Sequence, residues 1–543
     1  MNNFEYDVLI IGSGFGGAVS AMRLAQKGYR VGLLEMGKEY DESSYPRTNW
    51  DVKKYLWAPL ARCFGIQKIS VLNKVMVLHG IGVGGGSLVY ANTLLRPEDK
   101  IFESWPKQVN WTQELKDPYH LAFSMLGAVE NPHLCENENQ IKKLSEELGC
   151  SETFKPTTVG VYFGDKKNPG QKVADPYFSG AGPERNECTL CGACMIGCPV
   201  GAKNTLVKNY LYFARKWGTK VHPELKARKI LPQDDGTYKV ETLSSTSWFK
   251  KSGPVFSAKK VIVSAGVMGT MELLLENAVV HRTLDKISTK LGTIVRTNGE
   301  SLLGSVAFDN KGGMDKGIAI GAQIKPDSNT KIEGVRYPSG SDFFKFLALP
   351  LTGDGNRLIR PFKMLANLFL SAPKYLRILF HKDWAANGLI LLVMQSLETR
   401  MNLKLGRSPF TFFKRGLVGD FKGNEPPPSF IPIAQKSSEI VAKNMKGMPL
   451  NILFEAGLGM PATAHILGGA VLSDSSQEGV VDVNHQVFNY PGLYVMDASV
   501  IPSNLAVNPS LTITALAERF TSKFPLMCTQ EEYSTREIKF SYS

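Results

Sequence analysis

The chain has 543 residues and a formal net charge of +13, with 43% hydrophobic and 21% charged residues. One hydrophobic core stops growing at about 250–300 residues, so at least two packed units are expected, and the ordinary composition leaves no long segment that must stay disordered. The basic balance suits an anionic membrane surface or an acidic redox partner, but no arginine- and lysine-dense tract occurs, which argues against nucleic acid.

Residues 1–12 run straight into a strand and a glycine loop, without a basic start, a long apolar core and a cleavage site, so export is not expected. The apolar composition of residues 6–11 reads as a buried parallel strand, a helix follows over 18–27, and residues 30–35 restore a strand. Between them, Gly12-Ser13-Gly14-Phe15-Gly16-Gly17 fits G-x-G-x-x-G. In that pattern Gly12 makes the tight turn, Gly14 lets the backbone approach a pyrophosphate and Gly17 allows close helix packing. Glu35 ends the second strand at the spacing where an acid accepts hydrogen bonds from ribose hydroxyls. The bland alternative is an ordinary βα turn.

Residues 40–73 have poor periodicity and many tryptophan, tyrosine and proline residues, as in a long excursion over the core. A second glycine-rich segment, 80–87, contains Gly84, Gly85 and Ser87 and leads to Asn92. Residues 100–185 read as irregular structure with helices, for example over 137–147. Then Cys188-x-x-Cys191-x-x-Cys194-x-x-x-Cys198-Pro199 matches the bacterial ferredoxin ligand run. In two-cluster ferredoxins the fourth cysteine serves the other cluster, and no second run exists here. The expectation is an iron–sulfur cluster on Cys188, Cys191 and Cys194, completed by Cys198 or by a remote cysteine (Cys63, Cys135, Cys150 or Cys528), or a three-iron cluster. Zinc and four unligated thiols are the alternatives. This crowding suits ligand chemistry in a reducing compartment more than a disulfide framework, so a cytoplasmic protein is expected.

A helix is expected near 207–216 and another nucleotide-domain strand over 260–266. Residues 298–450 have a different texture, and the stretch 343–384 interleaves Lys345, Arg357, Arg360, Lys363, Lys374, Arg377 and Lys382 with phenylalanine, leucine and isoleucine. Such a face either rests peripherally on lipid headgroups or forms a lid over the protein's own apolar pocket. The longest apolar runs, such as 389–394, fall far short of the roughly 20 residues needed to span a bilayer. A strand ending at Asp497 and a helix over 510–520 return to the first texture. The nucleotide domain is thus expected from separated pieces, 1–40, 76–100, 205–297 and 485–528. Residues 41–75, 101–204 and 298–484 are left for a substrate domain that carries the cysteine cluster 188–198.

Several segments together carry a family resemblance. Residues 80–92 resemble the second flavin-binding stretch of the glucose-methanol-choline oxidoreductases, where the backbone lies too close to the flavin for side chains. Residues 261–269 with Glu272 resemble the family's third nucleotide-domain segment. Residues 464–469 and 507–519 are similar to the two carboxy-terminal signatures of its cholesterol oxidase branch, although Ile466 stands where proline usually follows the histidine.

The resemblance implies an α/β fold: a Rossmann-type FAD-binding domain, discontinuous in sequence, beside a substrate domain with a mainly antiparallel sheet. FAD would be held by Gly12, Gly14, Gly17, Glu35, Gly84, Gly85, Ser87, Asn92 and Asp497. The implied reaction is oxidation of a secondary alcohol, with a 3β-hydroxysteroid such as cholesterol favoured as substrate and O2 or a redox carrier as electron acceptor. His465 would orient the hydroxyl and Asn508 position substrate and flavin, since hydride removal requires the hydroxyl proton to leave too. Glu333 is the candidate acid for an accompanying double-bond shift, unless it is a surface salt-bridge residue. His79 is either a flavin attachment site or a packing histidine. The best-known cholesterol oxidases lack the cysteine run, while some membrane-associated sugar dehydrogenases of the family carry a comparable one with iron and sulfur. Other flavoproteins lack the paired carboxy-terminal signatures, and a lipid-binding module without activity would leave the dinucleotide site unexplained.

Overall fold

A computed structural model describes residues 4–165, 168–249, 251–424 and 426–541. Two sheets organise the chain. In the first, Tyr6–Ile11 lies between Val31–Leu34 and Ser252–Val263, with Lys220–His222 beyond Val31–Leu34; all these pairs are parallel. Leu493–Val495 adds a further parallel strand to the end of Ser252–Val263, and the hairpin Leu225–Pro232 and Tyr238–Ser244 pairs antiparallel with its beginning. The central strands are covered on both faces, which is why Val8, Leu9, Ile10 and Leu33 form an unbroken apolar run with no solvent access.

The first crossover is the helix Phe15–Gln26. Its first turn is built from small residues because a neighbouring chain passes against it: a Cβ on Gly16 would come within 1.8 Å of the Met496 carbonyl oxygen. The helix ends where Gly28 takes φ +91°, a conformation that costs an L side chain free energy. It packs on Ser510–Ser522, and buried Glu518 holds the pair together, accepting from Arg23 at 2.6 Å and from the Tyr210 hydroxyl at 2.7 Å. The first and last signatures of the sequence therefore meet on one face of the sheet.

The second sheet has seven strands, in the order Ala348–Pro350, Gly447–Ile452, Ser301–Ala307, Gly388–Gln395, Thr330–Val335, Ile320–Asp327 and Lys155–Pro156. Every pairing in it is antiparallel. The helix Pro432–Asn444 lies on Ser301–Ala307 and Gly447–Ile452. The apolar run at 389–394 is a central strand of this sheet. The fold is thus the expected α/β combination of a Rossmann-type sheet with a mainly antiparallel one, and no helix among the described residues is long and apolar enough to cross a membrane.

The basic and apolar stretch forms a short helical turn, Asp342–Leu347, and two helices, Arg360–Leu370 and Ala372–Leu379. Arg360 departs from the expected basic face. It is buried, its guanidinium donating to the carbonyls of Glu455 and Gly353, because it pins the start of its helix to the second sheet's edge.

Candidate active site

The two glycine segments meet. Gly12 turns at φ +105° with its Cα packed on the Ser264 backbone, and a Cβ on Gly85 would fall 2.6 Å from the Gly14 Cα. A Cβ on Gly17 would lie 1.9 Å from the Gly12 carbonyl oxygen, so the helix start is pressed onto the turn. Glu35 stitches the segments: it accepts from the Ser13 hydroxyl at 2.6 Å and from the amides of Gly37 at 2.8 Å and Gly82 at 3.4 Å. Burial raises its pKa against the pull of those donors. Ser87 is likewise internal, donating to the Gly84 carbonyl and accepting from the Leu206 amide. Gly84 takes φ +107° at the same turn.

Gly14 is different, since a Cβ there would meet nothing within 4 Å. It caps Phe15–Gln26 without a side-chain partner for the first amides, so the amino end of that helix offers unpaired N–H groups beside open space. Such an end favours an anion. These residues fit a dinucleotide pyrophosphate. Asp497, at the end of the strand Leu493–Val495, borders the same space and accepts from the Gly266 amide at 2.9 Å and from Thr270 at 2.6 Å.

The space continues as a cavity of about 400 Å³ between the two sheets. Its walls are mostly apolar, with Met76, Leu302, Ile390, Leu392, Phe454 and Ile513 among them, and Phe344 and Leu347 close its outer side. His465 and Asn508 stand together in this wall, where Asn508 Nδ2 lies 3.5 Å from His465 Nε2. The same Nδ2 donates to Glu333 Oε2 at 3.3 Å. Three side chains taken from three distant segments thus converge. Glu333 is not a surface salt-bridge residue: it is fully buried behind Asn508 in the strand Thr330–Val335, with Oε1 unpartnered. Burial raises its pKa, opposed by Lys331 and His465.

The convergence includes a residue that the sequence reading passed over. The Glu300 carboxylate accepts from His465 Nδ1 and, at 2.8 Å, from the Ala464 amide. Burial disfavours a charged imidazole, yet Glu300 outweighs that and, with Glu333, holds the His465 pKa above its ordinary value. Glu300 sits in no recognisable motif. Its only sequence signal is an acid at the start of an otherwise apolar strand. His79 accepts or donates at 3.0 Å to Ser70 and is held near neutral form, with its pKa pushed down to about 3 by burial and by Lys68.

Cys188, Cys191, Cys194 and Cys198 line one small cavity together with Lys203. Among the described residues, no three His, Cys, Asp or Glu side chains converge tightly enough to hold a single metal ion. Asn92 is fully buried, with its side chain against Cys194.

Room for a dinucleotide at one end of the cavity and a carboxylate-anchored imidazole in its wall suit a cofactor-dependent oxidoreductase acting on a small bound molecule. The comparisons narrow this. Residues 6–293 and 454–517 match the two models described as GMC oxidoreductase. The chain is 41% identical over 537 residues to a cholesterol oxidase of Mycobacterium tuberculosis, covering 96% of this chain and 91% of that one. It is also 41% identical over 540 residues to a cholesterol oxidase of Acinetobacter baumannii, covering 98% and 96%. Pyridoxine 4-oxidase from "Mesorbium loti" shares the fold at a TM-score of 0.61 and 13% identity, over 96% of this chain and 99% of that one. The chain belongs to the glucose-methanol-choline oxidoreductase family. It is an FAD-dependent oxidoreductase acting on CH–OH donors.

Proposed function

We propose that the protein oxidises a 3β-hydroxysteroid such as cholesterol to the 3-ketosteroid. The observation that carries this reading is the contact of His465 with Asn508 in the wall of a large apolar cavity; the cholesterol oxidases that resemble the chain support it. The apolar wall takes the sterol rings, and the imidazole and amide take its one polar end. With Nδ1–H donating to Glu300, Nε2 is left as the acceptor, which is also the tautomer that accepts from Asn508 Nδ2. Nε2 then receives the hydroxyl proton as the carbinol C–H bond breaks. FAD, when bound by the glycine loops, supplies the hydride acceptor. Glu35 reaches the ribose only while still holding Ser13 and Gly37, using lone pairs these leave free.

Glu333 fits the role of proton carrier for a double-bond shift, because its buried carboxyl has a free oxygen one amide away from the substrate's polar end. The helices Arg360–Leu370 and Ala372–Leu379 favour peripheral contact with a membrane, from which so apolar a substrate would be drawn. A second reading concerns the acceptor: the four-cysteine cavity favours an iron–sulfur cluster and a redox carrier over O2.

The test is an anaerobic titration of the FAD-loaded protein. Cholesterol should bleach the flavin bands, and glucose and methanol should not. Bleaching by glucose with none by any sterol would remove the sterol and leave the family untouched.

A further inference from the structure

The cysteine run lies in a tightly folded loop whose backbone is shaped for the sulfurs. Gly192 and Gly197, at φ +72° and +100°, bracket a single helical turn, and Cys198 itself takes φ +65°. Gly192 has no substitute: a Cβ there would lie 2.5 Å from the Asp315 carbonyl oxygen. The loop is fixed at its other side by paired bonds between residues 190–192 and Gly317. Two amides point at sulfur, Leu190 N to Cys188 Sγ and Lys203 N to Cys198 Sγ, each at 3.4 Å. Hydrogen bonds to sulfur are one of the means by which proteins tune iron–sulfur clusters.

Two further observations point to a missing anionic group. Lys203 is buried, and its ammonium donates to the carbonyls of Leu88 at 2.9 Å, Tyr90 at 3.3 Å and Cys194 at 2.6 Å and lies 5.0 Å from the centre of the Tyr90 ring. Among the described residues it has no carboxylate partner, and a buried charge without a counter-charge is costly. Asn92, also fully buried and held at φ +68°, has no side-chain partner among the described residues other than the Cys194 sulfur. Thiolates around a cluster would give Lys203 its negative partner and Asn92 an acceptor. Zinc fits less well, since structural zinc draws paired ligands from two separated segments and all four thiols here share one loop.

We propose that Cys188, Cys191, Cys194 and Cys198 hold an iron–sulfur cluster that passes electrons one at a time from the flavin site to an external one-electron acceptor. The two sites are adjacent in the chain, since Cys194 lines one and Met195 the other. Tyr90, Ala91 and Met195 line the active-site cavity, while Lys203 bridges the carbonyls of Tyr90 and Cys194 behind it. Each alcohol oxidised releases two electrons and two protons. The protons leave to solvent, and the electrons reduce two equivalents of the acceptor in successive single steps through the cluster. The electron route rests on the alcohol-oxidation reading; the cluster does not.

The test uses the full chain purified anaerobically with its FAD. Roughly three or four iron and as many acid-labile sulfide per chain are expected, with a cluster signal in electron paramagnetic resonance in one redox state. Cys191→Ala should lose iron and signal while keeping FAD and sterol-driven bleaching, and its turnover with ferricyanide should fall by at least about tenfold, a barrier increase of about 1.4 kcal/mol. Stoichiometric zinc, a disulfide among these cysteines, or wild-type protein with full FAD and no iron overturns the site. Iron with unchanged ferricyanide turnover in Cys191→Ala overturns the electron route. Absence of bleaching by any alcohol, with iron present, overturns the alcohol reading and not the cluster. Should Cys191→Ala also lose FAD, the iron and sulfide content of the wild-type chain decides alone.

Discussion

At the scale of single residues, the proposed chemistry depends on which nitrogen of His465 is free. Glu300 fixes Nδ1 as the donor and raises the imidazole pKa, so the base form accumulates only above that raised value. The rate of anaerobic flavin reduction should therefore rise with pH through a pKa above that of ordinary histidine. Glu300→Gln removes the charge that holds the imidazole protonated, and its acidic limb should move to lower pH; an unmoved limb would detach Glu300 from His465. His465→Ala should slow reduction by roughly 10²–10⁴, with flavin content unchanged. Glu333 makes a separate claim, since it stands behind Asn508 and not in the cavity wall. Glu333→Gln should leave bleaching near the wild-type rate while the product stays the unshifted 3-ketosteroid, visible as missing conjugated-enone absorbance. A conjugated product from this variant would end the proton-carrier role.

At the scale of elements, the helices Arg360–Leu370 and Ala372–Leu379 are unusual in what they expose. Phe362, Phe369, Leu370 and Phe380 are 73%, 83%, 79% and 77% exposed, a density of large apolar groups that a solvated face does not normally carry. Their basic neighbours, Lys363, Lys374, Arg377 and Lys382, surround them as headgroup contacts would. The first helix also packs on the edge strand Ala348–Pro350 and on the helix Leu453–Leu458, where Met364 reaches Gly457, and Phe344 and Leu347 just upstream line the cavity. Burying one phenylalanine side chain is worth about 1.5–3 kcal/mol, so the double variant Phe362→Glu, Phe369→Glu should reduce partitioning onto anionic phosphatidylserine vesicles by about 100-fold or more. Co-sedimentation measures this. Equal binding by the variant, or none by the wild type, would return these helices to the role of a lid alone.

At the scale of the whole molecule, what could be read from the sequence was whatever rests on local order. The βαβ unit was legible because buried parallel strands demand continuous apolar runs and the turn between them demands glycine at fixed offsets. The helix expected over 18–27 in fact spans Phe15–Gln26, since Phe15, Gly16 and Gly17 already belong to its first turn. That His465 and Asn508 would be neighbours could be expected from their two signatures, and Glu333 was a candidate only through the family resemblance. Glu300 was not legible, because nothing local separates an acid that orients an imidazole from one that faces water. Nor was the burial of Arg360, which an amphipathic pattern assigns to the basic face until the helix Leu453–Leu458 and the loop at Gly353 supply the carbonyls that hold it. By itself, then, the sequence determined the dinucleotide turn, the family signatures and the four-cysteine run, all of them contacts made within a few residues. Only the tertiary structure decided that Glu300, His465 and Asn508 share one wall with Glu333 behind Asn508, and that the cysteine loop adjoins the same cavity through Met195. Those meetings join residues from 43 to 175 positions apart, and their register is set by how two sheets pack.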